Sequence, residues 1–395
     1  MSSKKDVDAL LQRFVDGGLS GCGLKVTQHG KTLYEGYFGY EDPEKNIEMN
    51  DRSVFRMASM SKIPMYTTCM MLYERGLFNL TDPVYEYLPE WRDLKKAVRT
   101  GNGDVKIVPC EKPMRISDIL SMKCGLPYCN GPMPKNPSDE RNVTMISMKE
   151  CMKPLNEQGH YTNREHVRAM SKAVLAAEPG EQWIYGFSSE ISAALIEAVT
   201  GKGIDDVMKE FLFDPLDMKD TGSRFFDDIE SRMVRMYTRH ADNSRTYQYC
   251  SFDSKHIPGE EHEAGWARLF STVEDYSHLL QMLSEGGQYN GKTIMGRKTI
   301  DMMRANGLNE SQIKALDDIY NRGYGYGYGV RTLVDREKAN CAGSAGAFGW
   351  TGGFGTWCEA DPAEGLGIVY MHNQMPNMEN YYHLLVRQAA YGLAE

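Results

Sequence analysis

Ser59 and Lys62 stand three residues apart in Ser59-Met60-Ser61-Lys62, and this pair opens the chemical reading of the chain. On a helix that spacing puts the hydroxyl and the amine on one face, close enough to exchange a proton. A serine hydroxyl is a weak nucleophile until a neighbouring base takes its proton. A lysine can be that base only where burial or adjacent positive charge favours the neutral amine. A helix N-terminus would also favour negative charge developing beside the serine oxygen. The chemistry this pair can start is attack by serine with a covalent intermediate.

The elements that must position the pair can be read from periodicity. After Ser59, residues 60–75 place Ile63, Tyr66, Met70 and Tyr73 at helical period, with Gly76 where a left-handed C-terminal cap belongs. Pro64 is tolerated near the helix start if Met60 is the cap. Residues 23–37 alternate on both sides of His29-Gly30 and predict a β-hairpin. Residues 365–371 read as a buried strand and 380–393 as a final helix, so an antiparallel sheet built from both chain ends is expected. Helices are expected at 188–199, 205–213 and 275–284. Residues 324–330 alternate tyrosine and glycine like a strand. Residues 101–166, with Pro, Gly, Asn and charged residues, predict a loop-rich excursion that could wall a pocket.

The flanks extend the pattern. Phe55-Arg56-Met57-Ala58-Ser59-Met60-Ser61-Lys62 resembles the nucleophile segment of the serine β-lactamase-like and penicillin-binding-protein-like family, the group that holds class C β-lactamases and family VIII carboxylesterases. The likeness continues in order through residues 72–84, Tyr87-Leu88-Pro89-Glu90 and residues 116–127. Residues 179–188, containing Trp183-Ile184-Tyr185-Gly186-Phe187, resemble the family's P-G-x-x-x-x-Y-S-N stretch, and Gly265-Trp266-Ala267-Arg268-Leu269-Phe270-Ser271-Thr272 its G-x-G-L-x-S-T stretch. Trp350-Thr351-Gly352-Gly353 falls where the family places K-T-G, H-x-G or W-x-G on an edge strand.

The resemblance implies that Tyr185 relays protons with Lys62, and that the backbone N–H groups of Ser59 and Gly353 form an oxyanion hole. It implies that Phe187, Trp350, Thr351 and Gly352 line the substrate site, without metal or cofactor. Phe187 replaces a polar residue, and Trp350 replaces a lysine that would attract a substrate carboxylate. Taken singly, Ser59 reads as a helix cap, Lys62 as a solvated charge and Tyr185 as a core aromatic. Taken in order with their flanks they read as one site.

Composition narrows the alternatives. The chain has 395 residues, 41% hydrophobic and 25% charged, and a net charge of −9, as expected of a folded protein with no basic track for nucleic acid. No segment reaches membrane-spanning length, and the first residues lack a signal-peptide pattern, so a cytoplasmic location is expected. The nine cysteines are odd in number and free of C-x-x-C spacing, which argues for reduced thiols. Ala342-Gly343-Ser344-Ala345-Gly346 is a loose relative of G-x-S-x-G without a strand-turn-helix context and reads as a loop. His160, His166 and the cluster Glu260-Glu261-His262-Glu263 lack metal-site spacing and read as solvated.

The expectation is a β-lactamase-like α/β fold: an antiparallel sheet flanked by helices plus a mostly helical lobe. It forms one catalytic unit over 1–395, with the α/β lobe from about 1–85 and 255–395 and the helical lobe about 86–254. The expected function is a serine esterase acting on small carboxylic esters through an acyl-enzyme. The alternatives are a β-lactamase, a D-amino-acid peptidase or amidase, or a non-catalytic β-lactam-binding sensor.

Overall fold

The computed structural model describes residues 3–129, 139–248, 250, 253, 256–257, 268–317 and 322–395. Both chain ends feed one sheet. Its eight strands follow the order Tyr324–Tyr326, Arg331–Leu333, Phe348–Thr351, Trp357–Asp361, Leu366–Met371, Gly21–Gln28, Lys31–Asp42 and Ile47–Glu48. Every neighbouring pair is antiparallel. The hairpin expected at His29-Gly30 forms, because both residues take the positive φ that a two-residue turn of matching twist requires: 48° and 71°.

Period-2 alternation divides the sheet's two faces between separate cores. Leu366, Ile368 and Tyr370 pack with Val7, Leu11 and Phe14 of the helix Lys4–Asp16 and with Tyr382 and Val386 of the helix Glu379–Tyr391. Val369 and Met371 face the other way, into the core that holds Val273, Tyr276 and Leu280 of the helix Val273–Ser284. Covered on both faces, the strand is apolar throughout, which is why it reads as a continuous hydrophobic run. Burying one such large apolar side chain contributes about 1.5–3 kcal/mol.

The second core continues into the helical region. There Ser188–Thr200 and Ile204–Met208 pack against the helix Lys62–Glu74. Ile204–Met208 runs on as a π-helical turn, Lys209–Phe213.

Three expectations need correction. Residues 101–166 are not mainly loop: they contain the helix Ile116–Leu120, the 19-residue helix Glu140–Gln158 and the start of Asn163–Met170. Their periodicity is weak because Glu140–Gln158 buries only Asn142, Thr144, Met145 and Met148, so few apolar positions mark its inner stripe. The tyrosine-glycine strand stops at Tyr326. Gly327–Val330 turns instead, since Gly329 has φ of 78° and packs against the Tyr66 ring. His166 is buried in Asn163–Met170, whereas His160 is exposed. The cluster at 260–263 and residues 265–267 lie outside the described residues.

Candidate active site

The segment before Ser59 is pinned from several directions. Phe55–Arg56 pairs with Phe270–Ser271, and the Arg56 guanidinium grips Asp253 at 2.7 and 2.6 Å. The Asn373 side chain bonds both Arg56 backbone groups. Met57 N–H donates to the Leu269 carbonyl, and the Thr356 hydroxyl donates to the Met57 carbonyl at 3.1 Å. Tyr276 Oη donates to the Met60 carbonyl at 2.9 Å. These contacts hold Ala58 at φ 45°, a left-handed conformation that costs a non-glycine residue about 1–2 kcal/mol.

Ser59 therefore sits on a tight 3₁₀ turn, Ala58–Ser61, that leads into Lys62–Glu74. The cap lies one residue later than expected, at Ser61, and Pro64 falls third in the helix, where its missing N–H removes no intrahelical bond. From Ser53 to Leu72, Ser59 alone is not buried.

Lys62 is not a solvated charge. It is 1% exposed, and its Nζ donates to Ser59 Oγ at 3.3 Å. Two aromatic faces cover the ammonium, with Nζ 5.1 Å from the centroid of the Tyr185 ring and 5.7 Å from that of Tyr128. Tyr185 thus meets Lys62 through the face of its ring.

Its ring is fixed by neighbours. Trp183 stacks at 6.2 Å, Tyr128 meets it edge-on at 5.6 Å, and Trp350 lies tilted at 5.3 Å. Trp350 Nε1–H donates to Tyr185 Oη at 3.1 Å. An indole N–H can only donate, so this contact cannot take the phenolic proton and leaves it to other partners.

The remaining expected residues spread around this centre. Phe187, before the helix Ser188–Thr200, packs edge-on against Tyr128 and His166. Burial pushes the His166 imidazole down to about 4, so it stays neutral near pH 7. The strand Phe348–Thr351 is interior to the sheet rather than at its edge. Its pairing with Arg331–Leu333 nevertheless ends at Gly349, so Trp350 and Thr351 are unpaired on that side.

Gly352 abuts the nucleophile turn, and a Cβ there would stand 2.3 Å from the Met57 carbonyl oxygen. Gly353 is exposed, with open space on its Cβ side. Thr351 turns its hydroxyl to Glu379 Oε2 at 2.8 Å.

Tyr128 escaped the sequence reading. It follows Pro127 directly, but one aromatic after an apolar run looks like core. It reaches Lys62 because Pro127 bridges Gly186, where a Cβ would meet the Leu126 carbonyl at 2.0 Å. The departure from Y-S-N to Tyr185-Gly186-Phe187 is the signal that this close approach left. Burial first, then the neighbouring Tyr185, pushes the Tyr128 phenol well above the usual range, so it stays protonated.

With this geometry in view, comparison with known families is decisive. The Beta-lactamase family model matches residues 7–391. The chain belongs to the beta-lactamase family. Esterase EstB of Burkholderia gladioli is 24% identical over 392 residues, covering 94% of this chain and 91% of the esterase. An N-acetylmuramyl-L-alanine amidase of Bacillus subtilis is 24% identical over 406 residues, covering 94% of this chain and 82% of the amidase. Among solved structures, EstCE1, a hydrolase with promiscuous acyltransferase activity, superposes with TM-score 0.80 at 22% identity, covering 98% of each chain. The protein is a hydrolase of the beta-lactamase fold, and among the described residues no helix is long and apolar enough to cross a membrane.

Proposed function

We propose that the protein is a serine esterase that cleaves small carboxylic esters through an acyl-enzyme, with Ser59 as nucleophile. The observation that carries this reading is the buried Lys62 Nζ set 3.3 Å from Ser59 Oγ and over the face of the Tyr185 ring. Lys62 and Tyr185 form a proton-handling pair: whichever lacks a proton accepts the one leaving Ser59 Oγ as that oxygen attacks the ester carbonyl. The N–H groups of Ser59 and Gly353 receive the negative charge that develops on the carbonyl oxygen. Collapse breaks the bond to the leaving alcohol, which takes the proton. Water, or a second alcohol, then attacks the acyl-enzyme by the reverse proton path.

Ester is favoured over β-lactam or D-peptide because aromatic residues stand where polar anchors would, Phe187 half-buried and Trp350 buried against Tyr185. The naming of Esterase EstB and of EstCE1 supports the same class. The catalytic unit is one body, with the sheet-bearing lobe near 1–85 and 255–395 and the helical lobe between. Nine scattered cysteines, odd in number and without C-x-x-C spacing, support a cytoplasmic setting.

A panel of short p-nitrophenyl esters, a chromogenic cephalosporin and D-amino-acid amides tests the substrate class. Rapid cephalosporin turnover with inert esters would overturn it. A phosphonate probe should add one adduct by intact mass, absent in Ser59→Ala. An undiminished adduct on that variant would remove Ser59 from its role.

A further inference from the structure

Resting on the ester-hydrolase reading above, we infer that Glu379 makes this site select against substrates bearing a negative charge. Thr351 immediately precedes Gly352, the residue packed on the Met57 carbonyl two positions before Ser59. Its hydroxyl donates to Glu379 Oε2 at 2.8 Å and lies 3.3 Å from the Thr356 carbonyl, so it is committed inside the protein. The indole N–H of Trp350, the other side-chain donor on this stretch, is committed to Tyr185. Neither donor remains to greet a substrate carboxylate, and one of them holds a carboxylate in place.

The charge of Glu379 is not cancelled. Glu379 is half-buried, opens the helix Glu379–Tyr391, and forms no ion pair among the described residues. The helix N-terminus offsets roughly half an elementary charge, so about half of the carboxylate charge is left uncompensated by the helix. Like charges about 10 Å apart at a partly buried position repel enough to change a rate constant on the order of tenfold. The substrate class is therefore an uncharged or cationic ester. Molecules recognised through a free carboxylate meet repulsion instead of an anchor.

Two matched pairs of esters test this. Phenyl acetate against 3-carboxyphenyl acetate places the charge on the leaving group, and p-nitrophenyl butyrate against the p-nitrophenyl half-ester of succinic acid places it on the acyl group. The ratio of kcat/KM, neutral over anionic, should fall about tenfold in Glu379→Gln for at least one pair and further in Glu379→Lys. In the unaltered enzyme, added salt should narrow the same ratio, a reading independent of whether the variants fold. Ratios unmoved by both substitutions and by salt would overturn the inference while leaving the esterase intact. Failure of the unaltered enzyme to cleave any neutral ester would overturn the esterase reading and this inference with it.

Discussion

Ser59 and Ser344 both stand among small residues, and their surroundings differ in kind. Around Ser59 the turn is pinned by Leu269, Asn373, Thr356 and Tyr276, Ala58 is held at a left-handed φ, and the buried Lys62 Nζ lies at 3.3 Å. Around Ser344 the backbone N–H donates to Asp361 at 2.8 Å, and the hydroxyl reaches Glu364 at 3.4 Å on an exposed loop. The two histidines downstream of Ser344 are buried elsewhere. His372 Nε2 lies 3.1 Å from the Asn377 carbonyl and His383 Nε2 3.0 Å from that of Gly355. A serine becomes a candidate nucleophile when the fold fixes a proton acceptor beside it and restrains its backbone, and small neighbours alone supply neither.

The sharpest way to break the contrast is to remove each hydroxyl. Ser59→Ala should lower kcat for ester cleavage by at least about 10³-fold, whereas Ser344→Ala should change it less than about twofold. Steady-state kinetics on one p-nitrophenyl ester reads both, and equal losses would erase the distinction. Next, Lys62→Met keeps the length and burial of the side chain but not its amine. It should cost on the order of 10³-fold in kcat while the thermal midpoint holds or rises, because a buried charge has been replaced by apolar surface.

The two histidines downstream of Ser344 sharpen the comparison through pH. Burial holds His372 down to about 3 and His383 well below the ordinary imidazole range. The unfolded chain takes up protons near pH 6.5 and the folded chain does not. Stability is therefore fully present above that pH and falls as pH drops toward 3, by about 1.4 kcal/mol per pH unit for each such histidine. Urea midpoints between pH 7 and pH 4 should decline accordingly, and a flat profile would contradict neutral burial. The smallest effect is expected of Trp350→Phe, which keeps the ring and deletes the N–H donated to Tyr185. Roughly a fivefold to thirtyfold loss of kcat/KM is expected, with a shifted pH profile. An unchanged profile would make Trp350 a packing residue only.

Much of the site was legible because its signals are local. The Ser59 to Lys62 spacing is one helical turn, the hairpin at His29-Gly30 is two residues of required backbone geometry, and the strand at 366–371 is an apolar run covered on both faces. Tyr185 and the glycines at 352–353 were found only through the order of flanking motifs. Tyr128 and Glu379 were missed. Neither carries a spacing that marks it, since each meets the site through a contact between remote segments: Pro127 on Gly186, and Thr351 on the first residue of the last helix.

Sequence alone determined that a hydroxyl and an amine share a helical turn and that both chain ends build an antiparallel sheet, because i to i+3 spacing, turn conformation and strand alternation are short-range constraints. Tertiary structure alone decided that Lys62 is buried under two tyrosine rings, that Trp350 donates to Tyr185, and that a carboxylate holds Thr351. Burial, ring stacking and the choice of hydrogen-bond partner depend on which distant segments the cores force together, and no local pattern encodes that.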